Sequence, residues 1–211
     1  MPPLRVAKLG GSLLTWPLAR SRQAGPSVAS PAPLASALRD WLASQPPAAT
    51  VLIVGGGERV DRLREQCQRE PIGDAAAHWL AIEAMGLNTR AVAALLPEAP
   101  LLEHYEALTA RLNIPGTILF DAASFLREIE PNRSGTRLPA SWDVTSDAIA
   151  GRLAVVLGAT ELVLFKSLPP PAGASLNELA SLAYVDRFLP RLEEELPPMR
   201  CVNLRTSDLV S

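Results

Sequence analysis

The chain predicts an α/β fold: a three-layer sandwich of helices on both faces of a mainly parallel central sheet. Three observations carry that expectation. Apolar runs too short for helices recur at Leu4–Leu9, Val51–Val54, Thr117–Phe120, Leu162–Phe165 and Cys201–Leu204. Stretches with helical spacing separate most of them, and strands alternating with helices favour parallel pairing. Glycines follow the first two runs directly, as Gly10-Gly11 and Gly55-Gly56-Gly57. In open parallel sheets, ligands sit at the carboxyl ends of strands, where both clusters fall.

In chain order, the first strand, Leu4–Leu9, leads into Lys8-Leu9-Gly10-Gly11-Ser12. Residues 16–33 are rich in Pro, Ser, Arg and Ala and read as irregular. Leu34 to Ala43 places Leu34, Leu38, Trp41 and Leu42 on one helix side. Gly57 to Arg69 is charged and helix-compatible, with Val60, Leu63 and Cys67 as its apolar stripe. Asp74 is an N-cap candidate for a helix through Met85, with Gly86 as its stop. Leu101 to Leu112 reads as a helix, and Ala122 to Glu128 as a short one. A loop follows at Pro131–Ala140. Thr145 or Ser146 caps a helix to Leu157, ended by Gly158. After Pro169-Pro170-Pro171, helical stretches fall near Leu176–Leu182 and Arg187–Leu196. No linker separates two cores and no repeat is visible, so residues 1–211 are expected to form one domain.

Bulk properties narrow the function. The net charge is −2 with no basic stripe, which excludes nucleic acid and anionic membranes as electrostatic partners. No apolar run reaches membrane-spanning length, and the first residues show no signal-peptide pattern. Cys67 and Cys201 form neither a zinc spacing nor a disulfide framework, so two free thiols in a reducing cytoplasm are expected.

The chemistry-bearing residues cluster at the predicted strand ends. Lys8, Gly10, Gly11 and Ser12 suit phosphate. Glycine admits an anion close to the backbone, N–H groups point at it, and lysine adds a mobile charge. The plainer reading is a tight turn with an exposed lysine. Gly55, Gly56 and Gly57 would complete a cradle held between two loops. Asp143 and Asp147 are four apart at a helix start, so both carboxylates share a side, as cap acids or as partners of Lys8. His78 reads as a packed, hydrogen-bonded side chain, with a direct catalytic or substrate-binding role as the sharper alternative. Arg133 and Arg137, beside Trp142, are either solvated charges or an anion clamp next to an aromatic wall. Lys166 and Ser167 end a strand on the ligand side, where a lysine is either a surface charge or a balance for leaving phosphate.

In that order these residues resemble the amino acid kinase superfamily, which includes acetylglutamate, aspartate, uridylate and isopentenyl phosphate kinases. Its opening K-x-G-G-S matches Lys8 to Ser12, its second strand and glycine loop match Val51–Gly57, and its late acid-rich helix and strand match Asp143 through Lys166. Two stretches, 74–85 and 138–147, are similar to the archaeal kinase of methanofuran biosynthesis and its bacterial relatives in methanopterin-linked one-carbon metabolism. The resemblance implies ATP with Mg2+, a small phosphorylated acceptor (a furan in that narrower group), no protein-bound metal site and a homo-oligomer. It implies phosphate-binding roles for both glycine loops, a catalytic Lys8, and an Asp147 that orients the catalytic lysines. Asp143 would face substrate. Two departures stand out. Lys166-Ser167 replaces the family's T-D, and no G-G-M segment with a second lysine follows Pro169. The chain is also short, with the loss expected in the nucleotide-binding half. Either Lys166 takes the missing lysine's place, or nucleotide binding is altered or absent.

Overall fold

The computed structural model describes residues 2–14, 33–70 and 72–205. The irregular stretch expected from Trp16 lies outside them, except for Pro33, which opens a helix. Six strands form one sheet: β1 (Leu4–Leu9), β2 (Ala49–Val54), β3 (Leu101–Leu102), β4 (Gly116–Phe120), β5 (Glu161–Lys166) and β6 (Met199–Asn203). Their order is β3-β4-β2-β1-β5-β6 and every pairing is parallel. The chain leaves β1 toward β2 and β4, then crosses back to β5 on the other side. β1 is therefore central, and its carboxyl end is the switch point where parallel sheets open a crevice.

The strand pleat sends alternate residues to opposite faces. On one face Val6, Ile53, Leu162 and Leu164 pack under the helix α5 (Ser146–Leu157), buried from Ser146 to Ala154. On the other, Ala7, Leu9, Leu52 and Phe165 pack against Leu34, Leu38 and Trp41 of α1 (Pro33–Ser44). Trp41 meets Phe165 edge-on at 4.7 Å. α2 (Gly57–Arg69) and α3 (Asp74–Leu95) follow β2. α4 (Tyr105–Arg111) and α6 (Leu176–Ser181) are short.

Several expectations need correction. Gly86 does not stop α3, which runs 22 residues. The glycine sits where the helix passes Asp121, whose Oδ2 would lie 2.5 Å from a Cβ there. The N-cap of α3 is Gly73, so Asp74 opens the helix instead. Leu101–Leu112 splits into the edge strand β3 and α4, because Leu101 and Leu102 pair with β4. The helix expected at Ala122–Glu128 is a wide π-type turn at Phe125–Ile129. The stretch from Arg187 holds only a 3-10 turn at Leu189–Leu192. The end of α5 is as expected: Gly158 adopts φ 64°, and Ala159 N–H donates to Ala154 O at 2.9 Å.

Candidate active site

Lys8 and Lys166 sit on the sheet face that α5 covers, two residues beyond core residues of the same face: Val6 before Lys8, Leu164 before Lys166. The first turn of α5 brings Asp147 down between them. Lys8 Nζ lies 2.9 Å from Asp147 Oδ1, and Lys166 Nζ donates to Oδ2 at 2.8 Å. Lys8 is 6 % exposed and Asp147 4 %. Each ammonium group thus takes one oxygen of the carboxylate. Burial works against an ionised Asp147, yet the two ammonium groups outweigh it and hold the carboxyl at about 2. Burial, with Lys8 alongside, pushes Lys166 down, while Asp147 opposes the shift. Lys166 also donates to Tyr184 O at 2.6 Å.

The glycine loops meet above this triad. A Cβ on Gly10 would fall 2.7 Å from Phe165 O, and one on Gly11 would overlap the Gly57 backbone. Gly57 itself has φ 53°, which favours glycine. Asn88, from α3, donates to Gly55 O at 2.9 Å and Gly56 O at 2.7 Å, fixing the second loop from behind. Ser12 Oγ and Ser167 Oγ, 2.9 Å apart, join the loops after β1 and β5.

A cleft of about 960 Å³ opens over Lys8, Gly10, Gly11, Ser12, Asp147 and Lys166, with Trp142, Asp143 and residues 183–187 along its walls. Gly55 and Gly57, expected to complete the cradle, do not line it, and Gly56 lines a neighbouring small recess. His78 also lines that recess. It is buried, its Nδ1 lies 3.3 Å from Ser141 O, and burial pushes its pKa down. The imidazole is packed against Trp79 and lies outside the main cleft, in a recess that Trp142 also lines.

The cation beside Trp142 differs from the expected one. Arg64 of α2 lies over the Trp142 ring at 4.9 Å and lines the cleft. Arg133 and Arg137 do not line it. The Arg133 guanidinium lies over Tyr105. Their loop is drawn away by buried Arg152, which donates to Ser134 O at 2.8 Å and pairs with Glu130. Arg64 is one of several arginines on the charged helix α2, and nothing local distinguishes it.

One signal in the sequence singles out the centre. The chain has only two lysines among its 20 basic residues, and both converge on Asp147. A compact ammonium fits where a guanidinium fork does not. Asn88 and Asp186, which also shape the site, have no such signal. Their partners lie 33 and 41 residues away.

Among the described residues, no group of three His, Cys, Asp or Glu side chains is placed to hold a metal ion, and no helix is long and apolar enough to cross a membrane. The cleft lining carries Lys8, Arg64, Lys166 and Arg187 against Asp143, Asp147 and Asp186, with Gly10 and Gly11 between them. Such a donor set suits phosphate oxygens, and a divalent cation there would ride on the phosphates.

Fold and site together define an α/β protein whose lysine-bearing cleft opens at the carboxyl end of the central strand. The chain belongs to the amino acid kinase family, whose model matches residues 3–169. No curated protein matches it by sequence. Among solved structures it is similar to the uridylate kinase of Archaeoglobus fulgidus, with 14 % identity, TM-score 0.60, and 96 % of this chain and 90 % of that one covered. The UMP kinase of Bacillus anthracis gives 13 %, 0.65, 99 % and 90 %. That of Ureaplasma parvum gives 12 %, 0.63, 98 % and 92 %. At these identities the likeness is one of fold.

Proposed function

We propose that the chain is an ATP-dependent phosphotransferase whose acceptor is itself a small phosphate-bearing molecule. A furan phosphate in methanofuran- or methylofuran-type cofactor synthesis is the acceptor class we favour. The observation that carries the reading is the pair of lysines on the two oxygens of Asp147, under the Gly10-Gly11 loop. Phosphoryl transfer needs chiefly positioning and neutralised charge. Lys8 would track the transferred group, the backbone N–H groups of the loop would hold phosphate oxygens, and Asp147 would keep both ammonium groups charged and aimed. Bound magnesium would supply further charge neutralisation at the nucleotide phosphates. A phosphate acceptor is already ionised at neutral pH, which relieves the site of a strong general base and agrees with a buried, neutral His78. Lys166 would serve as the second lysine. A cytoplasmic homo-oligomer of single-domain subunits completes the proposal.

One feature favours a second reading, a non-catalytic subunit that keeps the acceptor pocket: Lys166 already donates to both Asp147 and Tyr184 O. Thermal shift with Mg-ATP separates the two. Nucleotide at a hundredfold over its Kd adds about 2.7 kcal/mol of stability. No stabilisation by any nucleotide would leave the binding subunit. Turnover across a panel of phosphorylated acceptors, UMP included, then separates a furan kinase from a uridylate-type one.

A further inference from the structure

We propose that Asp186 is a positioning residue: by clamping the first turn of α5 it sets the Asp147 carboxylate between Lys8 and Lys166. α5 makes no side-chain cap of its own at Thr145. Its free donors turn to Asp186 instead. Asp186 Oδ2 accepts from Thr145 N at 3.0 Å, Thr145 Oγ1 at 3.0 Å and Ala148 N at 2.7 Å, while Oδ1 accepts from Leu189 N at 2.8 Å. Residues 145 and 148 bracket Asp147, so the clamp fixes the backbone on both sides of it. The same carboxylate ties the cleft wall after Tyr184 to the helix that carries the central acid.

A cap alone does not explain the choice. Asp186 is 9 % exposed and stands beside a second buried carboxylate. Burial and the charge of Asp147 push its carboxyl up to about 6, against the backbone donors that favour its ionised form. A local hydroxyl at Thr145 would cap the helix without that cost. Asp147 is the charged group facing it from α5, with Lys8 of β1 and Lys166 of β5 ion-paired to that acid. At the rim Asp143 and Arg187 lie 3.9 Å apart.

The inference rests on Asp147 and its lysines being the reaction centre, but its test needs neither nucleotide nor turnover. Protein labelled with 15N at lysine Nζ gives two signals, because Lys8 and Lys166 are the only lysines. Their pH midpoints are compared in the native protein, Asp186→Asn, Asp186→Glu and Thr145→Ala. Asp186→Asn is expected to lower the midpoint of at least one lysine by about one unit, roughly tenfold more free amine at a given pH. Thr145→Ala changes no charge and is expected to shift it the same way, roughly threefold. Asp186→Glu, with its carboxylate one methylene further out, is expected not to restore the native midpoint. Native midpoints in Thr145→Ala or in Asp186→Glu overturn the proposal, as does a lowered Tm with both lysines unmoved. If Asp186→Asn fails to fold, the other two variants still decide. If no nucleotide stabilises the protein but the midpoints move as expected, the kinase reading falls and the role of Asp186 stands.

Discussion

Gly11 and Gly57 touch, so the loop after β1 and the loop after β2 meet backbone to backbone at the switch point of the sheet. A Cβ on Gly57 would lie 2.8 Å from Gly11 O, and one on Gly11 would overlap Gly57 N and Cα. No flexible side chain is there to yield. Gly11→Ala is therefore expected to cost about 3 kcal/mol, at the upper end for overpacking, because one backbone must move to admit it. Urea unfolding checks this; a loss within 0.5 kcal/mol, the usual range for surface changes, would show that the loops are free to separate.

Lys8 and Lys166 share one carboxylate, which makes single lysine variants informative. In Lys8→Ala, Asp147 keeps Lys166 as a partner, so the acid is not orphaned and the protein is expected to fold. Turnover should fall about 10²–10³-fold, the scale for losing one preorganised charge-stabilising donor. Lys8→Arg should not restore it, since a planar fork cannot occupy a pocket that leaves Lys8 6 % exposed. Circular dichroism alongside steady-state kinetics checks both, and native turnover in either variant removes Lys8 from the reaction.

Much of this centre can be read in the chain because its signals are local. An apolar run ending in lysine and two glycines marks β1, and Thr145 with Gly158 brackets α5. What escapes reading is nonlocal. Gly86 looks like a helix stop until Asp121 is seen beside it. Leu101–Leu102 is a strand only because β4 is there to pair with it. Asp186 and Asn88 act across dozens of residues, and Arg64 is one arginine among several on a charged helix until Trp142 folds against it.

That last contact yields a prediction about acceptor binding. Arg64 lines the cleft and Arg133 and Arg137 do not. Arg64→Ala is expected to raise the acceptor KM roughly tenfold, about 1.4 kcal/mol, with kcat changed little. Arg133→Ala and Arg137→Ala should leave KM within about twofold. Trp142→Ala should weaken acceptor binding more than nucleotide binding. The reverse ranking of the three arginines would return the anion clamp to the loop at 131–140.

Acid should destabilise the protein through Asp147. Its carboxyl is held at about 2 against an ordinary value of 3.8, so its contribution is present above about pH 4 and is lost as pH falls toward 2. The amount is on the order of 2 kcal/mol. Asp186 has the opposite sign. Raised to about 6, it contributes below about pH 4 and loses that contribution as pH rises toward 6. Unfolding free energies measured by urea from pH 2 to 6 should therefore show two limbs. Asp147→Asn should flatten the lower one and reduce turnover. A lower limb that survives in that variant would assign acid sensitivity elsewhere.

Ala183 is the one non-glycine residue with positive φ among the described residues, at 54°. It follows α6, with its N–H donating to Ala180 O at 3.0 Å and that of Tyr184 to Leu179 O at 2.9 Å, a helix end where glycine is usual. Alanine there costs about 1–2 kcal/mol, while glycine would add about 0.4–1 kcal/mol of unfolded-chain entropy. Ala183→Gly is thus expected to stabilise by about 0.5–1 kcal/mol. The strain also has a neighbour with a task, since Tyr184 O receives Lys166 at 2.6 Å. Backbone strain beside a working group persists when the rigid geometry serves it. The more stable glycine variant is therefore expected to turn over more slowly, because the freed hinge no longer presents Tyr184 O to Lys166 in one fixed place. A variant that gains stability at unchanged kcat would show the strain to be incidental.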